Sequence, residues 1–233
     1  MALHFVQGDK YSLTMRLISI LVGTPRTVGV PGAENRMERE FTSAIWKSPV
    51  NGPLHLGPLG LAGDAVADTR VHGGPDQAVL MYAAAHFPRW EEELGRPVEP
   101  GAFGENLLVE GLDEDTACIG DVYEIGEVRL QVSHPRQPCA TLARRHQIPD
   151  MIAIVRQNGR SGWYLRVLRE GPVEANLPIR RLDHPNPEWS VRRAARAMLT
   201  RDRDLSEAAG LTRCRGLSEE WRKRLLAGAR APG

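Results

Sequence analysis

The sequence predicts a mainly β protein with a few peripheral helices and a small C-terminal three-helix region. Three observations lead there. Short β-branched or aliphatic runs recur between glycine- and proline-rich stretches. Apolar and polar residues alternate on both sides of Gly126 across Asp121 to Ser133. Helical spacing takes over only after Asp183-His-Pro-Asn-Pro-Glu188, whose two prolines mark a linker.

Taken in order, residues 12 to 22 and 43 to 47 read as strands joined by a loop from Gly23 to Arg36. Gly52 to Asp64 is too rich in glycine for a helix and reads as successive turns. Ala78 to Tyr82 is a buried strand. Residues 83 to 94 form a helical stretch that Pro88 divides and Gly95 ends. Asp121 to Ser133 folds back at Gly126 as a hairpin or bulged pair. Short helices are expected over Cys139 to His146 and Asp150 to Gln157, and a strand over Trp163 to Leu168. Helices are expected again at about Val191 to Leu199, Leu205 to Leu211 and Ser218 to Leu226, with Ala194, Met198, Leu211, Trp221 and Leu225 among their apolar positions.

Composition narrows the function classes. With 233 residues and 42% hydrophobic content, the chain can bury one large core. Lys+Arg 30 against Asp+Glu 29 gives a net charge of +1, which provides no general attraction to nucleic acid or an anionic membrane. The tail resembles a helix-turn-helix only loosely, its arginines being mixed with glutamates. No run approaches the roughly 18 apolar residues of a membrane span, and no secretory leader is evident, so a cytoplasmic protein is expected. Cys118, Cys139 and Cys214 are too few and scattered for a disulfide framework, a paired zinc site or an iron–sulfur cluster. Lys10, Lys47 and Lys223 all lie outside the motif-rich middle, which argues against a pyridoxal phosphate Schiff base. Zinc-protease, serine-hydrolase, nicotinamide and flavin fingerprints are missing, and haem is not expected either. Electrons for any redox work must then come from another protein.

Three segments carry candidate chemistry. His134-Pro-Arg-Gln-Pro-Cys139 links a strand to a helix-compatible run. At the first turn of that helix, with Arg136, Arg144, Arg145 and His146 nearby, Cys139 would favour the thiolate, a nucleophile and soft metal ligand. A single cysteine is also compatible with inert burial, although two prolines fixing its approach speak for function. Val71-His72-Gly73-Gly74-Pro75-Asp76 can present backbone N–H groups and an imidazole to a ligand, or simply make a tight turn. Phe103-Gly-Glu105-Asn106-Leu107 places a polar pair in apolar chain. That pair can bond loop backbone or read the edge of a ligand such as a pterin. Cys118 and Cys214 read as ordinary thiols.

Together, Gly63-Asp64 with His72-Gly-Gly-Pro-Asp76, Phe103-Gly-Glu-Asn-Leu107 and Pro135-Arg-Gln-Pro-Cys139 resemble a MOSC domain of the bacterial YiiM type. Gly120-Asp121, Gly162-Trp163 and the helical tail extend the likeness over nearly the whole chain. The resemblance implies a MOSC-type β-barrel domain over residues 1–183 and a helical tail domain over 184–233. It implies molybdenum cofactor, a molybdopterin carrying the metal, with Cys139 as metal ligand and catalytic residue. Arg136 is the residue expected at the cofactor phosphate or beside the Cys139 sulfur. His72 and Asn106 are expected to bond the pterin, with Gly73 and Gly74 in the same turn. The implied activity is reduction of N-hydroxylated compounds, including toxic hydroxylaminopurine base analogues, with electrons from an external flavoprotein reductase. A non-catalytic carrier of the cofactor, or of sulfur on Cys139, is the alternative. The tail is a candidate for completing the barrel, contacting the reductase or mediating a homodimer.

Overall fold

The computed structural model describes residues 14–70 and 72–228. Its centre is an eight-stranded sheet built from β1 (Arg16–Val22), β4 (Ser48–Pro49), β7 (Val79–Ala83), β8 (Leu107–Glu110), β9 (Val122–Ile125), β10 (Val128–Pro135), β11 (Trp163–Arg169) and β13 (Ile179–Asp183). Their order is β13-β9-β10-β11-β7-β8-β1-β4. Every neighbouring pair is antiparallel except β7 and β8, which run parallel. A second small sheet joins β12 (Gly171–Val173), β5 (Leu54–Gly57) and β6 (Gly60–Leu61), and a two-stranded ribbon pairs β2 (Arg26–Val28) with β3 (Phe41–Ser43).

The β-rich class agrees with the sequence, but the ladder is an open sheet and not a closed barrel. Its two ends approach at one corner. There, Leu17 N–H donates to Leu177 O at 3.0 Å and Ile179 N–H donates to Met15 O at 2.9 Å, next to an isolated bridge between Arg16 and Pro178. These bonds satisfy main-chain groups that an edge would leave exposed.

Several element boundaries differ from the sequence reading. The first strand begins at Arg16, while residues 12 and 13 lie outside the described residues. The run 43–47 is mostly the connection between β3 and β4, because Ile45 is buried against the tyrosine–tryptophan cluster and not paired in a ladder. β2 lies within the expected loop, and β5 and β6 lie within the expected turns. Residues 84–86 form a 3₁₀ turn before α1 (Phe87–Leu94), whose second residue is Pro88, a position where no helical N–H is needed. β8, β12 and β13 have no counterpart among the expected strands.

Apolar residues pack on both sides of the sheet. On one side, Tyr82, Trp90, Phe103, Leu142 and Val155 form a cluster with α1, α2 (Ala140–His146) and α3 (Met151–Asn158). Tyr82 and Phe103 stack at 4.7 Å, and Trp90 Nε1–H donates to Tyr82 Oη at 2.7 Å. The other cluster holds Leu130, Val132, Tyr123 and Trp163 together with Val191, Met198, Leu211, Trp221 and Leu225. Those last residues come from α4 (Val191–Leu199), α5 (Leu205–Thr212) and α6 (Glu219–Gly228). One hydrophobic cluster therefore crosses the boundary at residue 183. Asn186 fastens the linker by donating from Nδ2 to Ile119 O at 2.7 Å and to Arg215 O at 2.9 Å.

Asn106 holds three strands together. Its backbone N–H donates to Leu80 O at 2.8 Å, and its Oδ1 accepts from Leu80 N–H at 3.1 Å. Its Nδ2 donates to Leu21 O at 3.2 Å and to Asp64 Oδ2 at 2.8 Å. Removing the amide would leave the Leu80 N–H and the Asp64 carboxylate short of buried partners. Asn106→Ala is therefore expected to lower the unfolding free energy by about 3 kcal/mol, measured by urea denaturation; a loss under about 1 kcal/mol would show that the side chain is not what joins these strands.

Candidate functional site

The strand β10 delivers the Cys139 segment. It pairs with β9 on one side and β11 on the other, and its last residue, Pro135, sits opposite Trp163. Arg136 N–H then donates to Gly162 O at 3.0 Å, carrying the alignment one residue past the ladder. Gly162 has φ 72°, and a Cβ there would meet Met81 O at 2.7 Å, so only glycine lets β7 approach this closely. Cys139 stands immediately before α2 in extended conformation, and its carbonyl accepts from Leu142 N–H at 3.0 Å. The sequence-expected helix start is therefore where the structure has it.

Cys139 opens into a cavity of about 470 Å³. His72, Gly73, Asn106 and Arg136 line the same cavity, with Gly74 next to Gly73; Val71 lies outside the described residues. Gly73 and Gly74 have φ of 82° and 83°, the left-handed region that side chains disfavour. Five of the six sequence-selected residues are thus wall residues of one cavity.

Burial by itself pushes the Cys139 thiol up. The hydrogen bond from His72, the charge of Arg136 and the Leu142 backbone N–H outweigh it and bring the thiol down to about 6. The groups acting on the sulfur differ in part from those expected. Arg145 donates to Ile45 O and His146 shares a hydrogen bond with Ala102 O at 3.0 Å, both turned into the protein. His72, remote in sequence, takes their place. Cys118 and Cys214 behave oppositely: burial pushes them up to about 11 and about 12.

Asn106 is a wall residue whose amide is already engaged by protein groups. Glu105 likewise turns to the loop, accepting from Gly101 N–H at 2.5 Å and Phe103 N–H at 3.0 Å, the bland one of the two readings for this pair. Burial raises its pKa, and these backbone bonds oppose that rise.

Sequence reasoning missed the cavity residues Lys47 and Gln77, and it named Asp64 and Arg144 without their partners. Lys47 reaches the site from the β3–β4 connection and ion-pairs there with Asp64. Burial lowers its pKa while Asp64 raises it. Asp64 also accepts from Gly23 N–H at 2.8 Å. Arg144 lies over the Phe41 ring at 3.8 Å, with Nε and Nη2 buried and unpartnered. Gln77 Oε1 is buried without a partner as well. Nothing local marks Lys47 or Gln77.

The residues fit the molybdenum cofactor by donor chemistry. A thiolate is a soft ligand for the metal. The unpartnered Arg144 guanidinium suits a phosphate, and the Gln77 carbonyl suits an N–H edge of a pterin. A separate cluster, Cys118, Asp121 and His184, brings its ligand atoms within 4.8 Å of one another. Its carboxylate is already answered by Cys118 N–H at 3.1 Å, Tyr123 O–H at 2.8 Å, His184 at 2.6 Å and Arg181 at 3.5 Å.

Alkylation should expose the shifted thiol. In cofactor-free protein, iodoacetamide labelling of Cys139, followed by peptide mass spectrometry, is expected to rise with pH around a midpoint near about 6. The deprotonated fraction grows above that value, and His72→Ala should move the midpoint upward. A wild-type midpoint at the ordinary thiol value of about 8.5 would contradict this account.

Residues 68–180 match the model of the MOSC domain. The chain is 39% identical over 224 residues to the uncharacterized protein YflK of Bacillus subtilis, covering 93% of this chain and 94% of that one. It is 38% identical over 179 residues to a protein of Gibberella moniliformis named a reductase, covering 74% of this chain but 31% of that longer one. The crystal structure of YiiM from Geobacillus stearothermophilus superposes with a TM-score of 0.76 at 34% identity, covering 92% of this chain and 98% of that one. Among the described residues, no helix is long and apolar enough to cross a membrane. With 93% of it matched to YflK and 92% superposed on a YiiM structure, the chain belongs to the MOSC family as a YiiM-type protein.

Proposed function

We propose that this protein binds molybdenum cofactor and reduces N-hydroxylated compounds, among them hydroxylaminopurine-type base analogues, with electrons from a separate flavoprotein reductase. The observation that carries this reading is the lowered thiol of Cys139 at the wall of a cavity whose unpartnered polar atoms suit a phosphate and a pterin. The reductase named among the relatives supports the reaction class.

The overall change is R–NH–OH + 2e⁻ + 2H⁺ → R–NH₂ + H₂O: the N–O bond breaks, the oxygen leaves as water and the nitrogen is reduced. When bound, the cofactor supplies a metal centre able to accept oxygen and cycle electrons. The chain's own contribution is positional and electrostatic. Cys139 would hold the metal, and the proline-fixed turn keeps its sulfur in one place. His72 and Arg136 stabilise the thiolate form needed for ligation. Arg144 would bind the cofactor phosphate and Gln77 its polar ring edge. The Lys47–Asp64–Asn106 chain keeps the opposite wall fixed.

Metal content and turnover separate this reading from a carrier. After expression in a host that makes the cofactor, Cys139→Ser is expected to lose at least about 90% of bound molybdenum, by analogy with the loss of a first ligand, and to lose reductase-coupled turnover of an N-hydroxylated base. Wild-type protein that holds the cofactor without turnover, in the presence of a competent reductase, would support the carrier. Wild-type protein devoid of molybdenum and pterin would overturn both.

A further inference from the structure

Behind the Cys139 turn lies a second cavity of about 210 Å³. Cys139, His72, Gln77 and Tyr164 line both cavities, so the two meet at the sulfur. The far wall of the smaller one comes from α6, through Glu220, Trp221 and Arg224. We propose that this second cavity seats the uncharged heteroaromatic ring of the substrate, making the C-terminal helix part of the recognition site. This rests on the reductase reading and adds to it where the substrate binds and what reads it.

One unsatisfied group points to a ligand. His134 is 3% exposed, and its Nδ1 has no hydrogen-bond partner. A buried polar atom left unpaired is costly, and a ring with N–H and ring-nitrogen groups at its edge would supply a partner for it. The surroundings are aromatic: the His134 ring lies 5.3 Å from Tyr164 and 5.4 Å from Trp221, centroid to centroid. Such walls suit a flat ring with a polar rim.

Size and charge decide between a base and a nucleotide. The cavity is below the roughly 300–1,000 Å³ of sites for drug-sized ligands, which suits one fused ring system without sugar and phosphate. At its mouth Glu220 and Arg224 are paired with each other at 3.5 Å. The α6 cation that lines the cavity, Arg224, is therefore already paired, and the Glu220 carboxylate would repel a phosphate.

Calorimetric titration of full-length, cofactor-free protein with adenine and with adenosine monophosphate tests this. Adenine is expected to bind with one-to-one stoichiometry and at least about fivefold more tightly than the nucleotide. His134→Phe, which keeps a ring but removes its nitrogens, and Trp221→Phe, which shrinks the wall, should each weaken adenine by about fivefold or more. Unchanged thermal unfolding would certify both variants as folded. Should either melt early, saturation-transfer NMR on wild-type protein must place adenine protons beside His134 and Trp221. Absent adenine binding, equal affinity in both folded variants, or contacts elsewhere would overturn the assignment. The titration needs no turnover, so failure of the reductase reading would leave this result standing. Turnover by a protein that ignores adenine and tolerates both substitutions would remove the pocket alone.

Discussion

Everything at the candidate site depends on how rigidly β10 delivers one sulfur atom. The strand is paired on both sides, and its hydrogen bonding continues past Pro135 through Arg136 N–H to Gly162 O. Pro138 then precedes Cys139 and biases Gln137 towards extended backbone. A thiol on a mobile loop would meet its neighbours only part of the time. Here the strand sets the sulfur beside Arg136 and the start of α2, and with His72 these groups overcome the opposing effect of burial. The contrast with Cys118 and Cys214 makes the point, because those thiols are also buried but lack an equivalent set of stabilising groups.

The cavity wall opposite the sulfur follows a different logic. Lys47 and Asp64 are both nearly buried, and such a pair is costly unless its remaining bonding capacity is filled. Gly23 N–H and Asn106 Nδ2 fill it from two further segments. Asn106 in turn occupies its carbonyl on β7 and its amide on β1. This is a frame, in which each polar group answers another inside the protein. Across the cavity, Arg144 and Gln77 remain unanswered. The difference between satisfied and unsatisfied polar atoms thus separates the supporting wall from the groups available to a ligand, a distinction that residue identity alone does not make.

What the sequence disclosed reflects the range of the forces involved. The hairpin around Gly126, the strand before the cysteine turn and the tail helices were legible because their signals are local periodicity and turn chemistry. The helix beginning after Cys139 was legible for the same reason. β8 was not: Leu107–Glu110 is four residues long and pairs in parallel with β7, a partner reached only through the intervening helix and loops. β13 was obscured because Arg180, Arg181 and Asp183 supply a polar edge strand that reads as linker. Within the site, Cys139, His72 and Arg136 could be selected from their motifs. Lys47 and Gln77 could not, because their roles come from long-range packing that converts surface-type residues into cavity walls.

The tail shows how a change in composition can hide continuity of structure. Its helices begin after a proline-rich linker and carry the only sustained helical periodicity, so they read as an appendage. Yet Trp221 is 2% exposed, its ring lies 5.4 Å from His134, and Ser218 N–H donates to Ser133 O at 3.1 Å. Both partners are on β10, the strand that carries the cysteine turn. Gly120 adds a close approach, since a Cβ there would meet Arg215 O at 2.1 Å. The tail is therefore fastened to the sheet at several points, and the last helix is braced on the strand that positions the sulfur. A displacement of α6 would change the packing around His134 and, through β10, the support of Cys139. The helical region is mechanically part of the site even though its amino-acid pattern sets it apart.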